Sequence, residues 1–328
     1  MGDVRMTTPT SLGTWRALQR SWTADGVLTA LAIDHQGALR RALHPHDPES
    51  VQQSELTTFK LDVVEALAPD CSAVLLDPVL SASQVVASGL LGKTGLLMEL
   101  ETADYDLRPL PRHVRIDPDW NVAKIKRMGA DGVKLFFYYD PDDPDYAEQQ
   151  DATVCAAARA CARHDIPLYA EPILVGGEPT RVGERVVEAA RRTEACGATV
   201  LKLEFPAAAD AADPAKWQAA CEAVSGAVSI PWVLLSAGVP YDVFVAQVEA
   251  ACRGGASGFI AGRAVWGDAA GIADPSARKA KLDTVVRRRL QELAEIAHRH
   301  SRPFTQIMVP PDAHPDWFRT YETIGDIR

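Results

Sequence analysis

A cation stands in the middle of an apolar run. Residues 198–206 read ATVLKLEFP, the composition of a buried strand, with Lys202 at the centre. Side chains alternate along a strand, so Leu201 and Leu203 share one face while Lys202 and Glu204 share the other. Cys196-Gly197-Ala198 before the run reads as a helix end, and Pro206 with the alanines after it reads as a loop. Those flanks place it as a central parallel strand rather than a solvated edge. A lysine facing inward there loses hydration, which lowers its pKa and frees its lone pair for attack on a carbonyl carbon. The alternative is a lysine that is partly exposed or ion-paired with Glu204.

Other polar residues close further apolar runs: Asp34, Asp77, Glu99 or Glu101, Lys134, Glu171, Ser236 and Arg263. Lys134 follows Gly129 by the same five positions that separate Lys202 from Gly197, which sets both lysines at comparable heights. A second cation beside Lys202 would depress its pKa by like-charge repulsion. Neutralised by a carboxylate, Lys134 would only hold structure. Glu171, in YAEPI, suits proton transfer because apolar neighbours tune a carboxyl upward. It would serve equally as a counter-ion that keeps a lysine charged. Asp34, in AIDHQG, can bond substrate hydroxyls or shuttle a proton, or simply cap the helix that follows. Ser236-Ala237-Gly238 and Ala261-Gly262-Arg263 end two successive runs, and each offers glycine-exposed N–H groups, with one arginine to pair with a phosphate. His35, His44 and His46 supply metal donors, but HPHD lies in a Pro-broken loop with no HExxH helix, so no metal is expected. No GxGxxG or GxxxxGK[ST] occurs, which removes the motif basis for a dinucleotide or P-loop site.

The runs that must position these residues alternate with helical stretches throughout. Strands are predicted over 27–34, 73–77, 95–100, 132–139, 167–174, 199–205, 231–236 and 257–262. Helices are predicted over 49–68, 82–88, 118–128, 145–164, 181–195, 214–224, 241–253 and 277–300. Such an alternation is α/β and fits a (β/α)8 TIM barrel, whose active site lies at the C-terminal strand ends. Residues 1–26 read as an N-terminal segment and 27–273 as the barrel. Residues 274–328 read as a C-terminal helical extension that packs on the barrel or on a second subunit, and from it a homo-oligomer is expected.

The chain of 328 residues is 47% hydrophobic, enough for one large barrel. A net charge of −10 argues against nucleic acid or an acidic membrane as partner, so an anionic substrate needs locally placed cations. No apolar run is long enough to span a bilayer, and the first residues lack a signal core. Six scattered cysteines without a CxxC pair read as reduced thiols of a cytoplasmic protein.

The segments LAIDHQGALRRAL, GADGVKLFFYYDPD, LYAEPIL, ATVLKLEFP, LLSAGV and AGRAVW follow one another across 27–267. In them the chain resembles the class I aldolases of the tagatose-1,6-bisphosphate aldolase type, within the DeoC/LacD group. The resemblance implies a (β/α)8 barrel that cleaves a ketose bisphosphate to dihydroxyacetone phosphate and an aldehyde. It implies no cofactor beyond a covalent Schiff base, with Lys202 as the Schiff-base lysine, Glu171 as acid/base and Lys134 beside them. Asp34 would contact substrate, while Ser236, Gly262 and Arg263, with Gly238 in the same turn, would hold the ketone-side phosphate. One position departs from the pattern: His35 stands where the family has Gln, and Gln36 follows it. Both are substrate-contact candidates, and His35 is expected to add a pH response. The rival readings are a sulfofructosephosphate aldolase, with a sulfonate in place of the distal phosphate, a transaldolase-like enzyme, and a sugar-phosphate sensor without turnover.

Overall fold

Eight parallel strands close into a barrel in the order β1-β2-β3-β4-β5-β6-β7-β8, with β8 paired back to β1. The computed structural model describes residues 10–102, 112–208 and 213–321. The first nine residues of the N-terminal segment and the last seven of the C-terminal one lie outside the described residues. The strands are β1 (Leu28–Ala32), β2 (Ala73–Leu76), β3 (Gly95–Glu99), β4 (Gly132–Tyr139), β5 (Leu168–Leu174), β6 (Val200–Leu203), β7 (Trp232–Leu235) and β8 (Gly258–Ala261). Each falls on a predicted run, usually trimmed by a residue or two where the chain leaves the ladder. Closure depends on one glycine. Gly258 adopts φ +131°, and a Cβ there would lie 1.9 Å from the Leu28 carbonyl oxygen, so no other residue lets β8 begin against β1.

The helices are α1 (Leu12–Ser21), α2 (Gly37–Leu43), α3 (Gln53–Leu67), α4 (Ala82–Ala87), α5 (Val122–Arg127), α6 (Pro144–Arg163), α7 (Val182–Ala195), α8 (Pro214–Ala227), α9 (Tyr241–Arg253), α10 (Arg263–Ala270), α11 (Pro275–Lys281), α12 (Arg287–His300) and α13 (Trp317–Thr320). Capping explains where several begin. Asn121 accepts the Lys124 N–H, so α5 starts four residues later than the predicted 118. Gln52 and Glu55 form a capping box that starts α3 at Gln53 rather than 49. The predicted 277–300 helix begins at Pro275 under an Asp274 cap and carries a π-helical stretch over Leu282–Val286. Helices α1, α2, α10 and α13 fall outside the predicted helical stretches.

Two cores result. The larger lies between strands and helices. The smaller fills the barrel interior with Leu28, Leu75, Leu97, Tyr169, Val233 and Ile260. Helix α1 seals the floor of that inner core, where Trp15 and Trp22 each meet Phe304 edge-on at 5.1 Å. Burying side chains of that size stabilises by roughly 2–3 kcal/mol apiece. Before Phe304, the C-terminal helices bury Leu282, Val286, Leu290, Leu293 and Ala297 along one face against the same barrel.

The cysteine reading is corrected at one pair. Cys155 on α6 and Cys196 just beyond α7 are joined by a disulfide, their Cα atoms 4.4 Å apart. They lie 41 positions apart in the chain, and only the packing of α6 beside α7 brings them together. Cys71, Cys161, Cys221 and Cys252 are free thiols. Among the described residues no helix is long and apolar enough to cross a membrane.

Candidate active site

Inward-facing residues at the C-terminal strand ends surround a cavity of about 290 Å³. The ladder places Lys134 of β4 beside Glu99 of β3 and Tyr169 of β5, so its side chain enters the barrel where several carboxylates meet. Lys134 Nζ lies 2.9 Å from Asp34 Oδ2, 3.5 Å from Glu171 Oε2 and 3.6 Å from Glu99 Oε1, and it also contacts Glu101 Oε1. Burial works against its charge. The carboxylates of Asp34, Glu101, Glu171 and Glu99 outweigh that and raise its pKa well above the ordinary lysine value. Of the two readings of Lys134, the geometry gives the neutralised one. Burial would raise the Asp34 carboxyl, but Lys134 first, then His35 and Lys202, hold it far below its usual range.

Lys202 enters the same cavity from β6, with Nζ 2.8 Å from Glu171 Oε2. Glu171 therefore stands between the two lysines, and its own side chain is 8% exposed. The ion-paired alternative for Lys202 is realised, but with Glu171 as partner rather than Glu204. Glu204 lines the cavity too and accepts the Leu174 N–H at 2.8 Å.

His35 follows β1 and packs edge-on against Trp266, ring centroids 5.4 Å apart. Its Nδ1 lies 3.4 Å from Asp34 Oδ1. Burial depresses its pKa; Asp34 opposes this, while Arg263, Lys202 and Lys60 add to it, and the value falls to about 3. The expected pH response near neutrality is thereby overturned: the ring is uncharged at neutral pH, and Asp34 does not offset burial and three nearby cations. Gln36 also lines the cavity, at the start of α2.

The opposite wall is the loop after β7 and the start of α10. Ala237 and Gly238 take φ of +46° and +77°, turning the chain after Ser236. The Gly262 N–H donates to Ser236 Oγ at 3.2 Å, joining the two loops. Arg263 opens α10 and donates to the Ala237 carbonyl at 3.5 Å. Ser236, Ala237, Gly262 and Arg263 line the cavity; Gly238 does not, but a Cβ there would lie 3.1 Å from Arg263 Cζ, so it leaves room for the guanidinium. Gly262 is constrained likewise, since a Cβ would fall 2.8 Å from His35 Cε1.

His44 and His46 do not join this set: His44 lies near the surface, 3.6 Å from Glu55. Among the described residues no group of three or more His, Cys, Asp or Glu is disposed to hold a metal ion. Asp77 ends β2 but is spent on structure, accepting from the Leu80 N–H at 2.6 Å, from Ser81 Oγ at 2.7 Å and from the buried Lys60. Sequence reasoning passed over Lys60. Its signal was legible, since Lys60 shares the apolar face of α3 with Leu56, Val63 and Val64.

Residues 28–268 match the family described as DeoC/LacD family aldolase. The chain is 30% identical over 276 residues to tagatose 1,6-diphosphate aldolase 2 of Enterococcus faecalis, covering 76% of this chain and 82% of that one. It is 30% identical over 315 residues to tagatose 1,6-diphosphate aldolase 2 of Streptococcus pyogenes, covering 87% and 95%. The structure of fructose-bisphosphate aldolase from Plasmodium falciparum superposes with a TM-score of 0.69 at 12% identity, covering 92% of this chain and 99% of that one; at that identity the likeness is one of fold.

Proposed function

We propose that this chain, which belongs to the DeoC/LacD aldolase family, cleaves a ketose 1,6-bisphosphate such as D-tagatose 1,6-bisphosphate through a Schiff base on Lys202. The observation that carries this reading is the 2.8 Å contact between Lys202 Nζ and Glu171, both buried, beside a second lysine held by carboxylates. In this reading Glu171 takes the proton that Lys202 must lose before its lone pair attacks the ketone carbon. Glu171 returns that proton to the carbinolamine hydroxyl, which leaves as water, and the resulting iminium draws electrons from the C3–C4 bond. Glu171, with Asp34 beside Lys134, takes the proton of the C4 hydroxyl as that bond breaks. The aldehyde departs, the enamine is reprotonated, and hydrolysis releases dihydroxyacetone phosphate and the free lysine. No metal or further cofactor enters the scheme.

Lys134 serves as a fixed positive centre. It orders Asp34 and Glu171 and holds Asp34 ionised. Ser236, Gly262 and Arg263 hold the ketone-side phosphate, with the Gly238 turn leaving space for the guanidinium. His35 and Gln36 contact the substrate from the β1 side, His35 as an uncharged hydrogen-bonding ring.

Borohydride trapping with dihydroxyacetone phosphate, with and without EDTA, tests the reading. A stable adduct mapped to Lys202 by peptide mass spectrometry, unaffected by EDTA, is expected. Absence of an adduct, or loss of activity on chelation, would overturn it. Arg263→Ala is expected to raise KM about tenfold or more by removing a charge-assisted phosphate contact, and an unchanged KM would take Arg263 out of the site.

A further inference from the structure

Glu204 faces the cavity and has no part in the reaction as set out above. It stands two residues beyond Lys202, on the same side of the strand. By accepting the N–H of Leu174, the last residue of β5, it spans the ends of the two strands that carry Glu171 and Lys202. The charged or titratable groups facing it are Glu171 from β5, Lys202 from β6, Arg185 from α7 and Tyr138 on the β4 wall of the cavity. Arg185 is already engaged, donating to the Val175 and Gly176 carbonyls at 2.8 and 2.7 Å and pairing with Asp140 and Asp142 at 2.7 and 2.9 Å. Those two carboxylates offset much of its charge, and its pull on Glu204 is smaller than the effect of burial.

We infer that Glu204 is a positioning residue: it ties the end of β5 to the end of β6 across the reacting pair and, while it carries its proton, withholds a second negative charge from Glu171 and Lys202. Burial is the main cause that lifts its pKa to about 7; the Leu174 N–H and Arg185 oppose this, and Glu171 adds to it. The inference rests on the Schiff-base reading of Lys202. An ionised Glu204 would stabilise the Lys202 ammonium and raise the proton affinity of Glu171, and both are the wrong forms for attack and proton removal. Two carboxyls with different environments thus take different parts, one reacting and one withheld.

The test is the rate of borohydride trapping of Lys202 by dihydroxyacetone phosphate, in the wild-type chain and in Glu204→Gln, from pH 6 to 8.5. Glutamine keeps the acceptor for the Leu174 N–H and cannot ionise. The ratio of variant to wild-type rate is expected to rise at least about fivefold across that range, the scale set by roughly one pKa unit of coupling between neighbouring charges. A ratio that stays constant, at whatever absolute level, overturns the inference, because a merely structural role scales both rates alike. Infrared difference spectra of the wild-type chain read the same proton where the variant does not fold. A carboxylic-acid band that vanishes between pH 6 and 8.5 supports the inference, and no such band at pH 6 overturns it. If the wild-type chain gives no adduct at any pH, the Schiff-base reading itself fails; an adduct with a flat ratio removes only the role given to Glu204.

Discussion

At the floor of the barrel, Trp22 Nε1–H donates to Tyr169 Oη at 2.8 Å, and Asp131 accepts from Arg20 at 2.6 Å and from the Leu96 N–H at 3.0 Å. At the mouth, Asp34, Glu99, Glu101 and Glu171 lie within 4 Å of the one Lys134 ammonium, and Glu171 is shared with Lys202. Both ends bury polar groups, but the floor matches them one to one and packs aromatic rings over them. The mouth gathers several carboxylates around two lysines, and does so beside a cavity that Arg41 and Arg263 also line. Burying charge in that way costs stability, so its presence beside a cavity marks where the chain does chemistry rather than where it gains stability.

The contrast is broken most directly at Lys202. Lys202→Met is expected to lower kcat by about a thousandfold or more, since it removes the proposed nucleophile; a variant retaining a tenth of the activity would remove Lys202 from the centre of the mechanism. Lys134→Met should unfold more readily by about 3–5 kcal/mol in denaturant titrations at pH 7, because it leaves buried carboxylates without their cation. That deficit should shrink toward pH 5, as protonation discharges those carboxylates, and a deficit independent of pH would mean the lysine acts through packing.

His35 sharpens the comparison through acid stability. A base whose folded pKa is depressed contributes stability that is present above its unfolded value near 6.5 and lost as pH falls toward about 3. Between pH 6.5 and 4.5 the wild-type chain should lose about 1–2 kcal/mol more than His35→Gln; parallel losses would show that His35 is free to protonate. The smallest effect is expected at the floor. Arg20 is 54% exposed, so Arg20→Ala should cost about 0.5–1 kcal/mol while leaving kcat/KM within about twofold. A larger fall in kcat/KM would mean that the floor reaches the site.

Most of the scaffold was legible because barrel strands announce themselves as short apolar runs buried on both sides. Residues 132–139 and 241–253 run as predicted, as β4 and α9. The charges that meet at the cavity were legible for the same reason, since a charge inside such a run stands out, as Lys134, Glu171 and Lys202 do. What escaped was whatever depends on meeting across space. Helix α1 carries four buried residues in ten, a weak stripe whose purpose appears only when it lies under the barrel. The charge state of His35 depends on burial and on Arg263, Lys202 and Lys60, which come from three other elements, so the residue type alone did not give it. Glu204 was visible beside Lys202, but its bond to the end of β5 was not.

The pairing of β1 with β8 bears on how the chain is made. Leu28 meets Gly258, and Phe304 then slots between Trp15 and Trp22. Strands emerging from the ribosome can add to their neighbours one by one, yet β1 keeps an unpaired edge until β8 arrives. The inner core stays open below until Phe304 follows. Barrel closure is therefore among the last events of synthesis, and until then a sheet of apolar strands must be kept from pairing with others of its kind.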